Sequence, residues 1–284
     1  MQTSYIQLEL SVPEDLHEYI IADFSDLDFE GFDQRGDILV GWIPSPRYDD
    51  VKRERIEELL MQLGQGAHII SEKTEEPRNW NSIWEETIKP MKVGRFYITP
   101  TWAESIEDKD VITLLIDPKM AFGTGYHETT RIMLRLLPDC IAGGESVLDA
   151  GTGTGILAIA AIKLGAEKAF GFDIDEWSYE NANENTLLNQ VSEQITIKFG
   201  DESTIPEGEQ FDVVIANINR NILLDMASLI CNAVKEKGTL VLSGLLVEDE
   251  TIIRENEFFS QLKHIKTEKE NDWIGLVFNK GKGV

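Results

Sequence analysis

The chain is short of cysteine. It has two, Cys140 and Cys231, in 284 residues, and no C-x-x-C pair. That excludes a disulfide framework and a thiolate zinc site, and it fits a reducing compartment. Histidine is scarce too. His17, His68, His127 and His264 show no metal-ligand spacing, so no metal is expected. Positive charge is in deficit: 26 lysines and arginines stand against 51 aspartates and glutamates, for a formal net charge of -25. Such a chain repels nucleic-acid phosphates and attracts basic partners, so direct nucleic-acid binding is not expected. No stretch approaches the roughly 20 apolar residues of a membrane span. The opening MQTSYIQLELSV has no basic region followed by a long apolar run, so no signal peptide is read there. A cytoplasmic protein with no membrane contact is the expectation. Internal repeats and low-complexity tracts are absent as well. The length suffices for one large domain or two smaller ones.

What is present is concentrated between Val147 and Asp175, VLDAGTGTGILAIAAIKLGAEKAFGFDID. Ser146 to Leu148 is a short apolar run of the kind a buried parallel strand presents. A glycine-rich turn, Gly151-Thr152-Gly153-Thr154-Gly155, follows directly. Ile156 to Leu164 reads as an apolar helix with Gly165 as its stop. Ala169 to Phe172 is the next strand, ending on Asp173, 22 positions after Gly151. That spacing puts a carboxylate at the second strand's tip, beside the turn, where it can accept hydrogen bonds from two ribose hydroxyls. A nucleoside-containing cofactor is therefore expected at the carboxyl end of a parallel sheet. Gly153, Gly155 and Ala158 match the dinucleotide pattern loosely, so the glycine spacing alone leaves NAD open. Asp149 tilts the reading. An acidic residue just before the turn can orient it and hold a cationic group, and it would repel a pyrophosphate. That suits the amino group or sulfonium of S-adenosylmethionine (SAM), and D-x-G-x-G-x-G resembles the first motif of class I SAM-dependent methyltransferases.

The chain before this segment has a different rhythm. Tyr5 to Val12 alternates apolar and polar residues and reads as a strand. A helix opens at Pro13. Phe29 to Phe32 and Ile38 to Ile43 read as two strands joined by a glycine-containing turn. Val51 to Leu63 is amphipathic, with Val51, Ile56, Leu59, Leu60 and Leu63 on its apolar face, and Ala67 to Ser71 reads as a further strand. The order strand–helix–strand–strand–helix–strand describes a small ferredoxin-like α+β domain over residues 1–71. Residues 72–89 read as a linker, with Trp80 and Trp84 as anchors packing it down. Residues 90–284 form the second domain.

Three later features matter for function. The segment DPKMAFGTGYHETT, Asp117 to Thr130, precedes the glycine strand and can cross the mouth of its site; its Gly-Thr-Gly is a lid candidate. His127 within it has no partner in sequence and reads as a packed histidine holding the loop. Asp201, after the strand Ile195 to Phe199, falls near the adenine position of a doubly wound fold. Asn217 stands at the tip of the strand Phe211 to Ala216, where a short amide can bond cofactor and substrate amine together. Helices are expected over Ile222 to Val234 and Glu248 to Leu262, a strand over Thr239 to Ser243, and a closing antiparallel pair over His264 to Glu270 and Ile274 to Asn279. A late helix followed by a hairpin favours the methyltransferase form of the sheet over the dehydrogenase form.

DPKMAFGTGYHETT, LDAGTGTGILAIAAIKLGA, GFDID and VIANI, in this order and spacing, resemble the ribosomal protein L-eleven methyltransferase family (PrmA). The resemblance is strong from about Trp84 to Leu246. The glycine motif alone implies only a class I methyltransferase; the motif before it narrows the family. The resemblance implies a Rossmann-like α/β domain, mostly parallel with a C-terminal antiparallel hairpin, behind an N-terminal substrate-recognition domain. It implies SAM as cofactor, with Thr130, Gly151, Asp173 and Asn217 at the binding positions and Gly153 beside Gly151 in the turn. It implies methyl transfer to lysine or N-terminal amines of a basic ribosomal protein, with His127 and Asn217 as candidates for guiding the amine and no certain general base. Methylation of another protein or a small amine, an NAD-dependent oxidoreductase and a non-catalytic nucleotide-binding module are the alternatives.

Overall fold

The computed structural model describes residues 4–25, 27–64, 66–75, 88–103, 111–119 and 121–281. The chain divides into two compact units, Met1–Ser82 and Ile83–Val284.

The first unit runs β1 (Tyr5–Ser11), α1 (His17–Ser25), β2 (Gly31–Arg35), β3 (Ile38–Pro44), α2 (Asp50–Leu63) and β4 (His68–Glu75). Its sheet has the order β2-β3-β1-β4, with every pair antiparallel. This is the ferredoxin-like arrangement expected from the element order. Alternation in β1 sends Ile6, Leu8 and Leu10 inward, where they meet Leu39 and Ile43 of β3, Ile20 and Phe24 of α1, and Ile56 and Leu60 of α2. Asp49 caps α2, its carboxylate accepting the Lys52 N–H at 2.8 Å. That start puts Val51 in the first turn on the solvent side, 74% exposed, against the inward placement expected from the pattern. Phe29 belongs to no strand; its ring packs on Phe24 and Phe32, and β2 begins at Gly31. β4 continues through Glu75, four residues into the stretch read as linker, because β1 pairs with it along its length, Tyr5 opposite Glu75. Residues 76–87, with Trp80 and Trp84, lie outside the described residues.

The second unit opens with a three-stranded sheet of β5 (Met91–Val93), β6 (Phe96–Thr99) and β7 (Ile112–Leu115). α3 (Glu128–Cys140) follows, then β8 (Ser146–Ala150), α4 (Ile156–Leu164), β9 (Lys168–Asp173), α5 (Glu176–Leu188) and β10 (Ile195–Phe199). After them come β11 (Phe211–Asn217), α6 (Arg220–Asp225), α7 (Ala227–Ala233), β12 (Val234–Leu246), α8 (Glu250–Glu255), β13 (Lys263–Glu270) and β14 (Trp273–Asn279). The large sheet has the order β10-β9-β8-β11-β12-β14-β13. Its first five strands are parallel, and β14 runs antiparallel to both neighbours.

Alternation splits β8 between two cores. Val147 joins Ile132 and Leu136 of α3 and Ile159 of α4, whereas Leu148 joins Leu223 of α6 and Ile230 of α7. Each fully buried side chain of this size contributes roughly 1.5–3 kcal/mol of transfer free energy. With both faces covered, the sheet leaves its strand ends as the open ground for a ligand. The helix expected over Ile222 to Val234 is two helices that break at Met226. That expected over Glu248 to Leu262 ends at Glu255, where the Asn256 carboxamide takes the N–H groups of Phe258 and Phe259. No helix among the described residues is long and apolar enough to cross a membrane.

Candidate active site

The site stands on the carboxyl ends of β8, β9 and β11. After β8 the chain turns through Gly151, Gly153 and Gly155, all with positive φ, and enters α4. Gly153 is the tightest point. Its φ is +55°, and a Cβ there would lie 2.3 Å from the Phe122 carbonyl oxygen, so the position takes no side chain. Asp149 acts on the turn from below. Its Oδ2 accepts from Thr152 Oγ1 at 2.8 Å and from the Ala158 N–H at 3.2 Å. Asp173, at the tip of β9, holds the turn from the side. Its Oδ2 accepts the Gly153 N–H at 2.9 Å and its Oδ1 the Asp175 N–H at 3.0 Å. Each oxygen then keeps a lone pair for another donor.

The segment before α3 is tied to the same turn. The Phe122 carbonyl accepts the Thr154 N–H at 2.8 Å, and the Gly123 carbonyl accepts from Thr154 Oγ1 at 2.7 Å. Tyr126 donates its hydroxyl to the Lys89 carbonyl at 2.7 Å. The loop read as a lid candidate is thus fastened at both its glycine end and its tyrosine. His127 caps α3, its Nδ1 accepting the Thr129 N–H at 3.3 Å. The same Nδ1 lies 2.8 Å from Thr129 Oγ1.

These pieces enclose a cavity of about 680 Å3. Gly151, Gly153, Asp173 and Asn217 line it together, and so do Phe122, His127, Thr129, Ile174, Asp201, Ile218, Gly244 and Trp273. Thr130 is different. It is fully buried behind Thr129, its Oγ1 has no hydrogen-bond partner, and it is not among the residues that line the cavity. Sheet order gives the cavity a direction. Asp173, Ile174 and Asp201 come from the β9 and β10 ends, the glycine turn from β8, and Asn217, Gly244 and Trp273 from β11, β12 and β14. Asn217 Oδ1 is buried and unpartnered. An orphan acceptor of this kind costs roughly 1–3 kcal/mol until a donor reaches it. Sequence reasoning missed Ile218, Gly244 and Trp273. Only a place at the end of a strand marked them, and strand order was needed to bring them to one opening.

A SAM molecule fits these donors and acceptors. The Asp173 carboxylate suits a vicinal diol, Ile174 and Phe172 offer apolar surface for a base, and the Asn217 carbonyl suits an amine. Asp149 does not line the cavity, so its part is to orient the turn, and the alternative of direct contact with a cationic group finds no opening to the site. Among the described residues no cluster of three or more histidine, cysteine, aspartate or glutamate side chains could hold a metal ion.

Burial pushes the Asp149 carboxyl up to about 6, with the Asp173 charge adding to it and the bonds from Thr152 and Ala158 opposing. In an unfolded chain an aspartate titrates near 3.9. Between about pH 4 and 6 the folded state therefore keeps a proton that the unfolded state has lost. Stability falls through this group as pH rises across that window and is level above it, by an amount on the order of 2–3 kcal/mol. Asp149→Asn removes the slope. Urea unfolding of both proteins at pH 4.5 and pH 7 measures it, and an equal pH dependence in the two would overturn the assignment.

The family model described as "Ribosomal protein L11 methyltransferase (PrmA)" matches residues 34–281. A protein of Porphyromonas gingivalis named "Ribosomal protein L11 methyltransferase" is 36% identical over 268 residues, 93% of this chain and 91% of its own. A Chlorobaculum parvum protein of the same name is 34% identical over 278 residues, 96% of each chain. The crystal structure of a ribosomal protein L11 methylase from Lactobacillus delbrueckii subsp. bulgaricus superposes with a TM-score of 0.63 at 28% identity, over 68% of this chain and 100% of that one. Sequence match, sheet order and the glycine turn with its fastened loop agree, and the chain belongs to the ribosomal protein L11 methyltransferase (PrmA) family.

Proposed function

We propose that this protein is a SAM-dependent N-methyltransferase that modifies lysine side-chain or N-terminal amino groups of ribosomal protein L11. The observation that carries the reading is one cavity holding the Asp173 carboxylate at the β9 end and the orphaned Asn217 Oδ1 at the β11 end. SAM, when bound, supplies a methyl group already activated by its sulfonium. The residues then have three tasks. Asp173, Gly151 and Gly153 hold the nucleoside. The Asn217 carbonyl accepts an N–H of the incoming amine and turns its lone pair toward the reacting centre. Apolar walls at Phe122, Ile218 and Trp273 keep the amine dry, which favours its neutral form over the ammonium that a free lysine carries below pH 10.4. His127, held at Nδ1 by Thr129, orients the start of α3 beside the amine. Thr130 serves from behind Thr129 by supporting the start of α3.

The chain's net charge of -25 suits a basic protein substrate, through faster encounter. The N-terminal unit recognises that substrate, and the enzyme works in the cytoplasm without binding nucleic acid directly. An NAD-dependent oxidoreductase is set aside by the family and by the antiparallel β14 inserted between β12 and β13.

The test is transfer of labelled methyl from SAM to purified large-subunit ribosomal proteins. Label in ribosomal protein L11 alone, lost in Asp173→Ala, is the expected result. No label on it, with SAM binding intact, would send the search to other amines.

A further inference from the structure

Asn217 Oδ1 has no hydrogen-bond partner, so no bond of its own sets its direction. The backbone that carries it must do so. Within β11, Asn217 stands opposite Ser243 of β12. Beyond it, Ile218 sits between two glycines that line the same cavity. A Cβ on Gly151 would lie 2.4 Å from Ile218 Cγ2, and one on Gly244 would lie 2.2 Å from the Ile218 carbonyl oxygen. Single atom contacts of this kind are weak, so the glycines limit how near the loop can come without tying it there. Asn219 bonds within its own helix, its Oδ1 accepting the Ile222 N–H at 3.1 Å. The tie to another element comes next. Arg220, at the start of α6, donates from Nη1 to Asp249 Oδ1 at 2.8 Å. Asp249 follows β12 as Arg220 follows β11, and its Oδ2 accepts the Leu246 N–H at 2.9 Å. The Asp249 side chain is 6% exposed and that of Arg220 40%. One buried carboxylate thus joins the loop after β11 to the turn after β12, and neither partner lines the cavity.

We propose that Arg220 and Asp249 are positioning residues for methyl transfer: their ion pair fixes the loop after β11 so that Asn217 Oδ1 stays at the cavity, where it meets the incoming amine. This rests on the reading of Asn217 as the acceptor for that amine. A buried carboxylate is costly without a partner, so Asp249 holds Arg220 in place and, through it, the loop. The Leu246 N–H fixes the other end of the tie on β12. Rate depends steeply on such placement: a displacement of about 1 Å can cost on the order of 100-fold. The contact to Asp249 uses one guanidinium nitrogen, so a lysine at this position can restore it.

Two readouts on the full chain test the pair. The first needs no turnover. NMR of isotope-labelled protein resolves the side-chain carboxamides, and the signals lost in Asn217→Ala are those of Asn217. They are expected to move or broaden in Arg220→Met and to return in Arg220→Lys. Should Arg220→Met fail to fold with Asp249 left unpaired, Arg220→Met/Asp249→Asn removes that charge and gives the same reading. Asn217 signals unmoved in both overturn the proposal. The second readout is methyl transfer from SAM to ribosomal protein L11. Arg220→Met is expected to lower kcat about tenfold, to change SAM affinity less than about twofold, and to add less than about twofold where Asn217 is already alanine. Arg220→Lys is expected to restore most of the rate. An equal loss in both backgrounds would mean that the pair acts on the fold as a whole, and overturns positioning. Transfer unaffected by Asn217→Ala, with the Asn217 signals moved in Arg220→Met, would remove the amine role of Asn217 and leave the tie between the loops standing.

Discussion

Replacing Asp173 by alanine lowers the affinity for SAM by roughly 1–3 kcal/mol, about five- to 150-fold. The loss has two sources. A carboxylate that accepts two hydroxyl hydrogen bonds makes charge-assisted contacts, the strong kind. The same carboxylate also holds the Gly153 N–H at 2.9 Å and the Asp175 N–H at 3.0 Å, so alanine frees the turn as well. Asp173→Asn keeps one acceptor oxygen and is expected to lose less. Isothermal calorimetry on the three proteins reads the order directly. Equal affinity for SAM in Asp173→Ala would mean that the ribose sits elsewhere.

Gly153→Ala is expected to be among the most damaging single methyl groups in the second unit. Its φ of +55° is left-handed, and the added Cβ would lie 2.3 Å from the Phe122 carbonyl oxygen. That oxygen is not free to retreat, because it accepts the Thr154 N–H at 2.8 Å. Left-handed backbone costs roughly 1–2 kcal/mol for a residue with a side chain, and overpacking adds roughly 1–3 kcal/mol. A loss of about 2–5 kcal/mol in urea unfolding should come with loss of measurable SAM binding. Gly208→Ala is the control: its φ is +76°, yet nothing lies within 4 Å of a Cβ there. It carries the backbone strain alone. If the two variants unfold alike and both bind SAM, the contact between the loop and the turn does not matter.

The comparison of these two glycines shows where local reading stops. Both stand in turns, and both take positive φ. Only the loop crossing above Gly153 separates them, and that crossing depends on a carbonyl contributed by a segment before α3. The same holds for Thr154. In the sequence it is a spacer between glycines; in the structure it makes both bonds that fasten the loop to the turn. His127 went the other way. Read as a packed histidine holding the loop, it does hold it, as the cap of α3 between two rings.

Three elements depart from their sequence pattern for one common reason. The periodicity of α2 puts Val51 with its apolar residues, and the Asp49 cap turns it outward. Polarity alone starts the linker at residue 72, and pairing with β1 carries β4 to Glu75. The pattern after Glu248 runs helical through Asn256, whose side chain ends the helix by taking two backbone N–H groups. In each case hydrogen bonds to specific partners set where the element begins or ends, and neither periodicity nor polarity marks those partners.

By itself the sequence determined the strand–turn–helix at Val147 to Leu164, the carboxylate 22 positions beyond Gly151, the ferredoxin-like order before it and the family resemblance. These follow from spacing along the chain, and spacing is a local property. Only the tertiary structure decided that Asn217, Gly244 and Trp273 share one opening with Asp173, that Thr130 is buried while Thr129 faces the cavity, and that Asp149 works through the turn. Those depend on strand order and register, which join residues through hydrogen bonds and packing between segments that no periodicity relates.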